Sequence, residues 1–381
     1  GEADRRHALR WHMQRDGVCR MTIYVDHTHL GRHVTGLERI TLELFSQDAL
    51  SPLPVVPVTA KGTRQMIIRQ TLGLPAKLAL SNAILLCPGF PPSPLLRSFA
   101  SRVLPYFHDD FLISRRADLN RRARLYMAMP FKLALQSYPR FLTNSETTRG
   151  RLRRYSRTDA DIMLYRPSVR NVFNVSDDMR AERVSNVSSI RLIALGTVEP
   201  RKNLVAAGRI LIALRAQGFA DATLDIIGRR GWGPDWKQLE QIPGVTLHGY
   251  QSAFGAADLF DKADMFICTS HDEGLGLPLL EAQYSGLPIV APDADVFREV
   301  LGYSGLFIDP TDPNTAAGSI ARLVATNGWR RFHVQQARKN LARWNGLAAS
   351  DRNAVLDLIA RMARGPLRDP TAISNRSIAA R

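Results

Sequence analysis

The chain has 381 residues, of which 45% are hydrophobic and 23% are charged. These proportions are typical of an ordinary globular protein of two or three domains. No apolar run approaches the roughly 18 residues of a membrane-spanning helix, and three cysteines, Cys19, Cys87 and Cys268, are too few and too scattered for a disulfide framework or a zinc site. A reducing cytosol fits this cysteine content best.

The formal net charge of +16 is distributed unevenly along the chain. Residues 115–170 contain 14 Lys or Arg against 4 Asp or Glu, so they carry +10 of it. A segment of this kind is a solvated face, a nucleic-acid surface or a surface that meets anionic lipid. Aromatic residues are interleaved with the cations and favour the lipid interpretation over the other two; they are Tyr126, Phe131, Tyr138, Phe141 and Tyr155.

The first half of the chain predicts a series of short buried strands. Residues 1–19 are polar and basic without periodicity, and we expect a loose extension there. A helix is expected to open at Gly36, after the loop that follows the first strand, and a second over 119–135, interrupted or kinked at Pro130. Apolar runs bounded by Pro and Gly predict the strands, which are 21–25, 55–58, 83–87 and 104–107.

Residues 174–188 are polar, lack a buried face and predict a linker between two domains, 20–173 and 189–345. Asn144 or Ser145, shortly before it, is the expected N-cap of a helix. Strands alternate with helices beyond the linker, which is typical of a parallel, doubly wound sheet. The predicted strands are 190–195, 222–228, 245–249, 265–269, 287–291 and 305–308, and the predicted helices are 203–217, 253–262 and 294–301. More helices follow from about Asn314 to Ala363, and the basic tail 365–381 is expected to be disordered.

The stretch 263–282 carries the clearest chemical signal. A buried strand is followed by a polar turn and then by Gly274-Leu275-Gly276-Leu277-Pro278, where a helix is expected to begin. The glycines let backbone amides approach a ligand at the positive end of that helix, so the turn predicts an anion site, most simply for a phosphate.

Glu273 and Glu281 bracket this turn with seven residues between them. Glu273 ends the strand and faces the crevice in which open α/β sheets bind ligands. Glu281 lies about one turn into the helix, where a carboxylate can accept hydrogen bonds from a ribose diol. The alternative is an ordinary helix start with one glutamate near the dipole and one on a solvated surface.

This segment resembles the Glu-x7-Glu signature of retaining nucleotide-sugar glycosyltransferases with the GT-B fold, in particular their family 4. The segment from Leu195 to Leu204 looks similar to the family's Gly-x-x-x-x-Arg-Lys-Asn sequence, and residues 285–292 and Glu299-Val300 match its usual continuation. The resemblance covers 190–345 densely and the first half sparsely. It implies an α/β fold of two doubly wound Rossmann-like domains facing across a cleft, with a last helix, 346–364, that crosses back onto the first domain.

Two adjacent cationic residues follow the first strand of the second domain, and their charges would stabilise a departing diphosphate. Arg201 supplies a planar fork and Lys202 a point charge, and both would offset negative charge as the sugar–phosphate bond breaks. The resemblance implies the other roles in the second domain. Glu273 binds hydroxyls of the donor sugar, Glu281 binds the ribose, and the amides of Gly274, Leu275, Gly276 and Leu277 serve the diphosphate and sugar.

The resemblance also places three residues around the donor. Tyr250 lies where nucleobase contacts begin, Gly36 lies under the diphosphate, and His108 contacts the sugar from the opposite domain. A plain N-cap at Thr35 and a local hydrogen-bond role for His108 are the competing interpretations.

No cofactor and no metal ion are expected, because no Asp-x-Asp triplet ends a strand. Retention of configuration is implied, and Asp109 or Asp110 would be the base if the enzyme inverted instead. Residues 228–233 and 199–203 look like those of bacterial polysaccharide mannosyltransferases, which favours GDP-mannose as the donor. The acceptor is then a glycan or a lipid-linked oligosaccharide, and the protein is cytoplasmic or peripheral at the inner face of the plasma membrane, where residues 115–170 would meet anionic lipid.

Four other functions compete with a transferase. A GT-B epimerase needs extra acid and base groups around the sugar, and a phosphorylase needs a cofactor lysine; neither is identifiable. A non-catalytic module that binds a nucleotide or polyanion is disfavoured because all the motif residues are present. A nucleic-acid protein would explain the basic segment but not the two glutamates.

Overall fold

The computed structural model describes residues 21–31, 35–115, 121–177, 180–183 and 189–364. The predicted extension, 1–19, the predicted tail, 365–381, and part of the predicted linker lie outside these residues. The expected fold class is confirmed in the rest of the chain, which contains two parallel six-stranded sheets with helices between their strands.

The first sheet has the strand order β2-β1-β3-β4-β5-β6. Its strands are β1 (Thr22–Asp26), β2 (Val55–Val58), β3 (Ala83–Cys87), β4 (Val103–Phe107), β5 (Arg140–Thr143) and β6 (Asp161–Leu164). Its helices are α1 (Thr35–Phe45), α2 (Thr63–Ile68), α3 (Leu74–Ala79), α4 (Phe111–Ser114), α5 (Arg121–Ser137) and α6 (Glu146–Arg153). Every residue of β3 and β4 is buried, as expected for apolar runs inside a parallel sheet.

The second sheet has the order β12-β11-β10-β7-β8-β9. Its strands are β7 (Arg191–Leu195), β8 (Thr223–Ile227), β9 (Val245–Gly249), β10 (Met265–Ile267), β11 (Ile289–Pro292) and β12 (Gly305–Ile308). The helices are α7 (Leu204–Ala216), α8 (Asp235–Glu240), α9 (Ala253–Lys262), α10 (Leu277–Tyr284), α11 (Asp295–Leu301), α12 (Pro313–Ala325) and α13 (Trp329–Arg364). The predicted strands agree with the observed ones to within two residues at each end.

Helix α13 belongs to both halves of the molecule. Its first part packs into the cores of the second sheet through Trp329 and Trp344, whereas Val355 and Ile359 pack into the core of the first sheet. The region from about Asn314 to Ala363, where the sequence predicted helices, therefore consists of α12 and this helix of 36 residues.

Several local predictions differ from the structure. Helix α5 runs through Pro130 without a break. Residues 63–79 form α2, a π-helical turn over Arg69–Gly73 and α3, none of which the sequence predicted. The linker was expected to lack a buried face, yet Arg180 is 2% exposed and donates to backbone carbonyls of the second domain, including that of Phe260.

The basic segment does not form one continuous aromatic and cationic surface. Phe131, Tyr138 and Phe141 lie in the hydrophobic core and are at most 3% exposed, so the expectation that they contribute to an interface was wrong. Arg151 forms an ion pair with Asp272 of the second domain, and Arg166 is buried against Asp351. No helix in the described part of the chain combines the length and apolarity that crossing a membrane requires.

Candidate active site

The carboxyl ends of β7 and β10 lie side by side at the point where the strand order of the second sheet reverses. The chain leaves β7 for β8 on one side and later returns to β10 on the other. A crevice forms above such a switch point, and ligands of open α/β sheets bind there. Arg201 and Lys202 follow β7 in a single 3-10 turn, and Glu273 follows β10.

Arg201, Lys202 and Ser270 surround the carboxylate of Glu273. We call these four residues the Glu273 cluster. Lys202 Nζ lies 2.5 Å from Glu273 Oε1, and Arg201 Nη1 lies 3.0 Å from Oε2. Ser270 Oγ donates to Oε1 over 2.7 Å. Both oxygens of a nearly buried carboxylate therefore have charged partners.

The cluster fixes the charge of Glu273. Burial raises its pKa, but the ion pairs with Lys202 and Arg201 outweigh burial and lower the pKa to about 2. The carboxylate is thus ionised at neutral pH and too weakly basic to accept a proton there. In this structure it holds the two cations in place.

Two members of this network were missed by sequence reasoning. Ser270 lies three residues before Glu273 in the polar turn, and its position at a strand's carboxyl end was the available signal. Glu199 Oε1 accepts from Arg201 Nη2 over 3.0 Å, which fixes the other edge of the guanidinium.

The glycine loop, residues 272–276, packs against the first domain. A β-carbon at Gly274 would lie 2.5 Å from the carbonyl oxygen of His108, so only glycine fits this contact. Thr148 Oγ1 donates to the Gly274 carbonyl over 3.0 Å. Gly276 has φ of 83° and precedes the first residue of α10, as the predicted helix start requires.

The two leucines of this turn are packed inward. Leu275 is 4% exposed in the core of the second domain, and Leu277 packs against the cores of both domains. Because their side chains are anchored, the backbone of the turn faces the crevice with a fixed shape.

Glu281 is buried on α10 at 2% exposure and forms an ion pair with Arg39 of α1. This pair joins the two domains directly. Gly36, three residues before Arg39, is exposed, and a β-carbon there would have open space around it.

His108 follows β4 and is fixed in the first domain. Its Nε2 lies 2.7 Å from the Pro88 carbonyl, so Nε2 carries the proton and donates. Burial lowers the pKa of His108 to about 4, and the ring is therefore neutral, with Nδ1 as an acceptor. Asp109 beside it accepts from the Phe111 amide, and burial raises the pKa of Asp109 to about 6.

Tyr250 lies apart from the Glu273 cluster. It follows β9, the edge strand, which is two strands or about 10 Å from β7. Its ring is 60% exposed and lies 4.6 Å from the Arg229 guanidinium.

The two domains are closed on each other at this site. A cavity of about 20 Å³ beside Glu273 is lined by residues of the second domain, among them Lys202 and Ser270, and has room for a water molecule. Among the described residues, no three His, Cys, Asp or Glu side chains gather as a metal site.

Comparison with known proteins adds a family to this geometry. Residues 189–326 match the family model described as glycosyl transferases group 1. The chain is 31% identical over 143 residues to O-antigen chain mannosyltransferase B of Escherichia coli, a match that covers 36% of this chain and 38% of that one. It is 24% identical over 261 residues to O-antigen chain mannosyltransferase RfbU of Salmonella typhimurium (strain LT2), covering 66% and 68% of the two chains.

A solved structure agrees with the fold over most of the length. Sucrose-phosphate synthase from Thermosynechococcus elongatus superposes with a TM-score of 0.67 at 17% identity, covering 90% of this chain and 100% of that one. At this identity the likeness concerns the fold alone. Residues 189–326 are thus similar to the glycosyl transferases group 1 family, in a chain whose two-domain architecture is that of the GT-B fold.

Proposed function

We propose that the protein is a retaining glycosyltransferase. It moves a sugar from a nucleotide diphosphate sugar to a hydroxyl of a glycan or lipid-linked oligosaccharide in cell-surface polysaccharide biosynthesis. The observation that carries the proposal is the convergence of Arg201, Lys202 and Glu273 at the switch point of the second sheet, beside the glycine loop.

The chemistry follows from the charges. The bond between the sugar's anomeric carbon and the diphosphate oxygen breaks, and the acceptor oxygen bonds to that carbon from the same face. The acceptor proton passes to the departing phosphate oxygen. Arg201 and Lys202 stabilise the negative charge on that phosphate, while Glu273 keeps both cations aimed at it and binds sugar hydroxyls. Glu281 would exchange Arg39 for the ribose hydroxyls, and Tyr250 would lie at the nucleobase end of the crevice.

The low basicity of Glu273 favours the same-face route, because a carboxylate with a pKa of about 2 is a poor base. Asp109 supports the competing, inverting route, because its pKa of about 6 suits a general base and it lies beside Gly274. Proton NMR of the product's anomeric signal separates the two: an α-linked product from an α-linked donor means retention, and a β-linked product means inversion.

GDP-mannose is the favoured donor, since two relatives are named as O-antigen chain mannosyltransferases. A thermal-shift screen of GDP-mannose, UDP-glucose and UDP-N-acetylglucosamine, followed by assay of nucleotide release, tests this. We expect the largest stabilisation and slow release of GDP with GDP-mannose, and activity that persists in EDTA. If no sugar nucleotide stabilises the protein or is turned over, the proposed function is wrong.

Glu281→Gln tests the ribose contact. The substitution removes a charge-assisted acceptor, so GDP should bind roughly tenfold more weakly. Isothermal titration calorimetry measures this, with Glu240→Gln as the matched control, because Glu240 is an exposed residue that accepts a hydrogen bond from the partly buried Trp236. Equal affinities in the wild type and both variants would contradict the role of Glu281.

We also propose that the first domain meets an anionic membrane at the cytoplasmic face. The support is the +10 charge of residues 115–170 and the exposed apolar side chains Ile68, Leu72 and Met129, which are 60%, 59% and 68% exposed. Co-sedimentation with phosphatidylglycerol vesicles should be strong at low salt and weak at high salt. Equal binding to neutral vesicles would exclude the electrostatic part of this proposal.

A further inference from the structure

Glu299 of the second domain is bonded to the first domain through both of its carboxylate oxygens. Oε1 accepts from the Glu146 amide over 2.7 Å, and Oε2 accepts from the Thr147 amide and hydroxyl, each over 2.8 Å. The donors belong to the first turn of α6, whose amides have no partners within the helix. The positive end of the helix strengthens these charge-assisted bonds.

The same turn of α6 also holds the glycine loop. Ser145 Oγ caps the helix by accepting from the Thr148 amide over 3.1 Å, and Thr148 Oγ1 donates to the Gly274 carbonyl. One turn further along, Arg151 Nη1 lies 2.9 Å from Asp272 Oδ2. Helix α6 therefore contacts the residues on both sides of Glu273.

Glu299 is itself fixed by its helix and by two neighbouring cations, Arg343 of α13 and Arg166 of the first domain. Arg343 of α13 donates to the Glu299 carbonyl over 2.9 Å. Arg166 Nη2 lies 3.8 Å from Glu299 Oε1, and its other terminal nitrogen is paired with Asp351. A rigidly held carboxylate thus meets a rigid helix end.

We propose that Glu299 is a positioning residue for catalysis. It anchors the first turn of α6 when the domains close, and α6 then holds Asp272 and Gly274 so that Glu273 faces the donor. The name interdomain joint is used for the contacts that link Glu299, the first turn of α6 and the glycine loop. Glu299 touches no donor atom in this scheme, and the kinetic part of the proposal rests on the proposed function.

Two conservative variants separate this role from a structural one. Glu299→Gln keeps the shape but turns one acceptor into a donor that faces another donor, and Thr147→Val removes the hydroxyl alone. We expect kcat to fall roughly tenfold for Glu299→Gln, while the Kd for GDP stays within about twofold, because the proposed nucleotide contacts of the second domain are intact. Thr147→Val should have a smaller effect that largely disappears in the Glu299→Gln background, since both act on the same bonds.

The position of the domains is measured separately by double electron–electron resonance. Spin labels at Leu80→Cys and Phe254→Cys report it, since these side chains are 88% and 92% exposed on different domains. Glu299→Gln should shift the distance distribution toward longer distances, and the control Glu240→Gln should leave both distances and kcat unchanged.

Unchanged distances between the spin labels in Glu299→Gln would contradict the proposed interdomain joint. Fully additive effects of Glu299→Gln and Thr147→Val on kcat would contradict it as well. An equal loss of kcat and of GDP affinity, accompanied by a lower Tm, would assign Glu299 a purely structural role and overturn the proposal as well. If the wild type turns over no sugar nucleotide, the proposed function is wrong. The distance measurement then tests the interdomain joint by itself.

Discussion

Two carboxyl groups at the edge of the crevice have opposite electrostatics, although both are shielded from water. Glu273 has two cations and a hydroxyl as partners, and its pKa is lowered to about 2. Asp109 has the Phe111 amide as its hydrogen-bond donor, and the nearby Arg201 is already bonded to Glu273 and Glu199. Burial therefore dominates at Asp109 and raises its pKa to about 6. One group is charged at all physiological pH values, and the other titrates just below neutrality.

Asp109→Asn should stabilise the protein at neutral pH. The pKa of Asp109 is higher in the folded state than its ordinary value of 3.8, so its protonated form stabilises the fold at low pH, and that stability is lost as pH rises from about 4 through about 6. The variant should equal the wild type at pH 4 and exceed it by roughly 1–3 kcal/mol at pH 7.5. Urea unfolding at both pH values measures this, with Asp258→Asn, at an exposed pair with Lys262, as the control. The same difference at both pH values would refute the assignment.

At the scale of elements, the glycine loop is a short connection whose shape depends on both domains. Leu275 anchors it in the second core, and the backbone of His108 limits it from the other side. Helix α10 begins directly after it, so the first amides of the helix lie beside the loop. Under the proposed function, the loop therefore binds an anion from one domain and responds to closure of the other.

Gly274→Ala should uncouple these two functions. The new methyl group would overlap the His108 carbonyl and Asp109, both of which are held by neighbouring residues. We expect kcat to fall by at least about tenfold, whereas GDP affinity should change less than threefold. Gly346→Ala is the matched control, because a methyl group on helix α13 there meets open space and should be neutral or mildly stabilising. A Gly274→Ala enzyme with wild-type kcat would show that this contact is not required for turnover.

At the scale of the whole molecule, α13 makes the folding of the first domain depend on the end of the chain. Val355, Leu358 and Ile359 are at most 5% exposed in the core built on the first sheet. Trp344, also in α13, is fully buried on the other side and donates to the Pro167 carbonyl over 2.9 Å. The two domains therefore share a helix that belongs to both cores.

Ile359→Ala should weaken the first domain selectively. The substitution removes a fully buried side chain, which typically costs about 2–5 kcal/mol. Hydrogen exchange followed by mass spectrometry should show lost protection in β1 and β3 but not in β11. Leu347→Ala, at a position of the same helix that is 37% exposed, should cost less than about 1 kcal/mol. Uniform loss of protection in both sheets would mean that the domains unfold as one unit.

The sequence predicted the sheets well, because strands such as β3 are continuous apolar runs between turn residues. It did not predict α2 and α3, since Gly73 and Pro75 interrupt the pattern there. The Glu273 cluster could be anticipated from adjacent cations and a glutamate at strand ends. The interdomain joint could not be anticipated, because Glu299 binds backbone amides that are 152 and 153 residues away in the chain. Every residue type except proline has such an amide, so the sequence does not mark which ones form a contact.

The course of α13 also determines how the cleft can open. The chain passes between the domains twice, and the two passages are bonded to each other: Asn345 Oδ1 accepts from the Val169 amide over 2.8 Å, and Asn345 Nδ2 donates to the Val169 carbonyl over 3.1 Å. Two adjacent, hydrogen-bonded connections favour rotation about this place over sliding of one domain past the other. We therefore expect the Val169–Asn345 contact to lie at the hinge about which the domains separate.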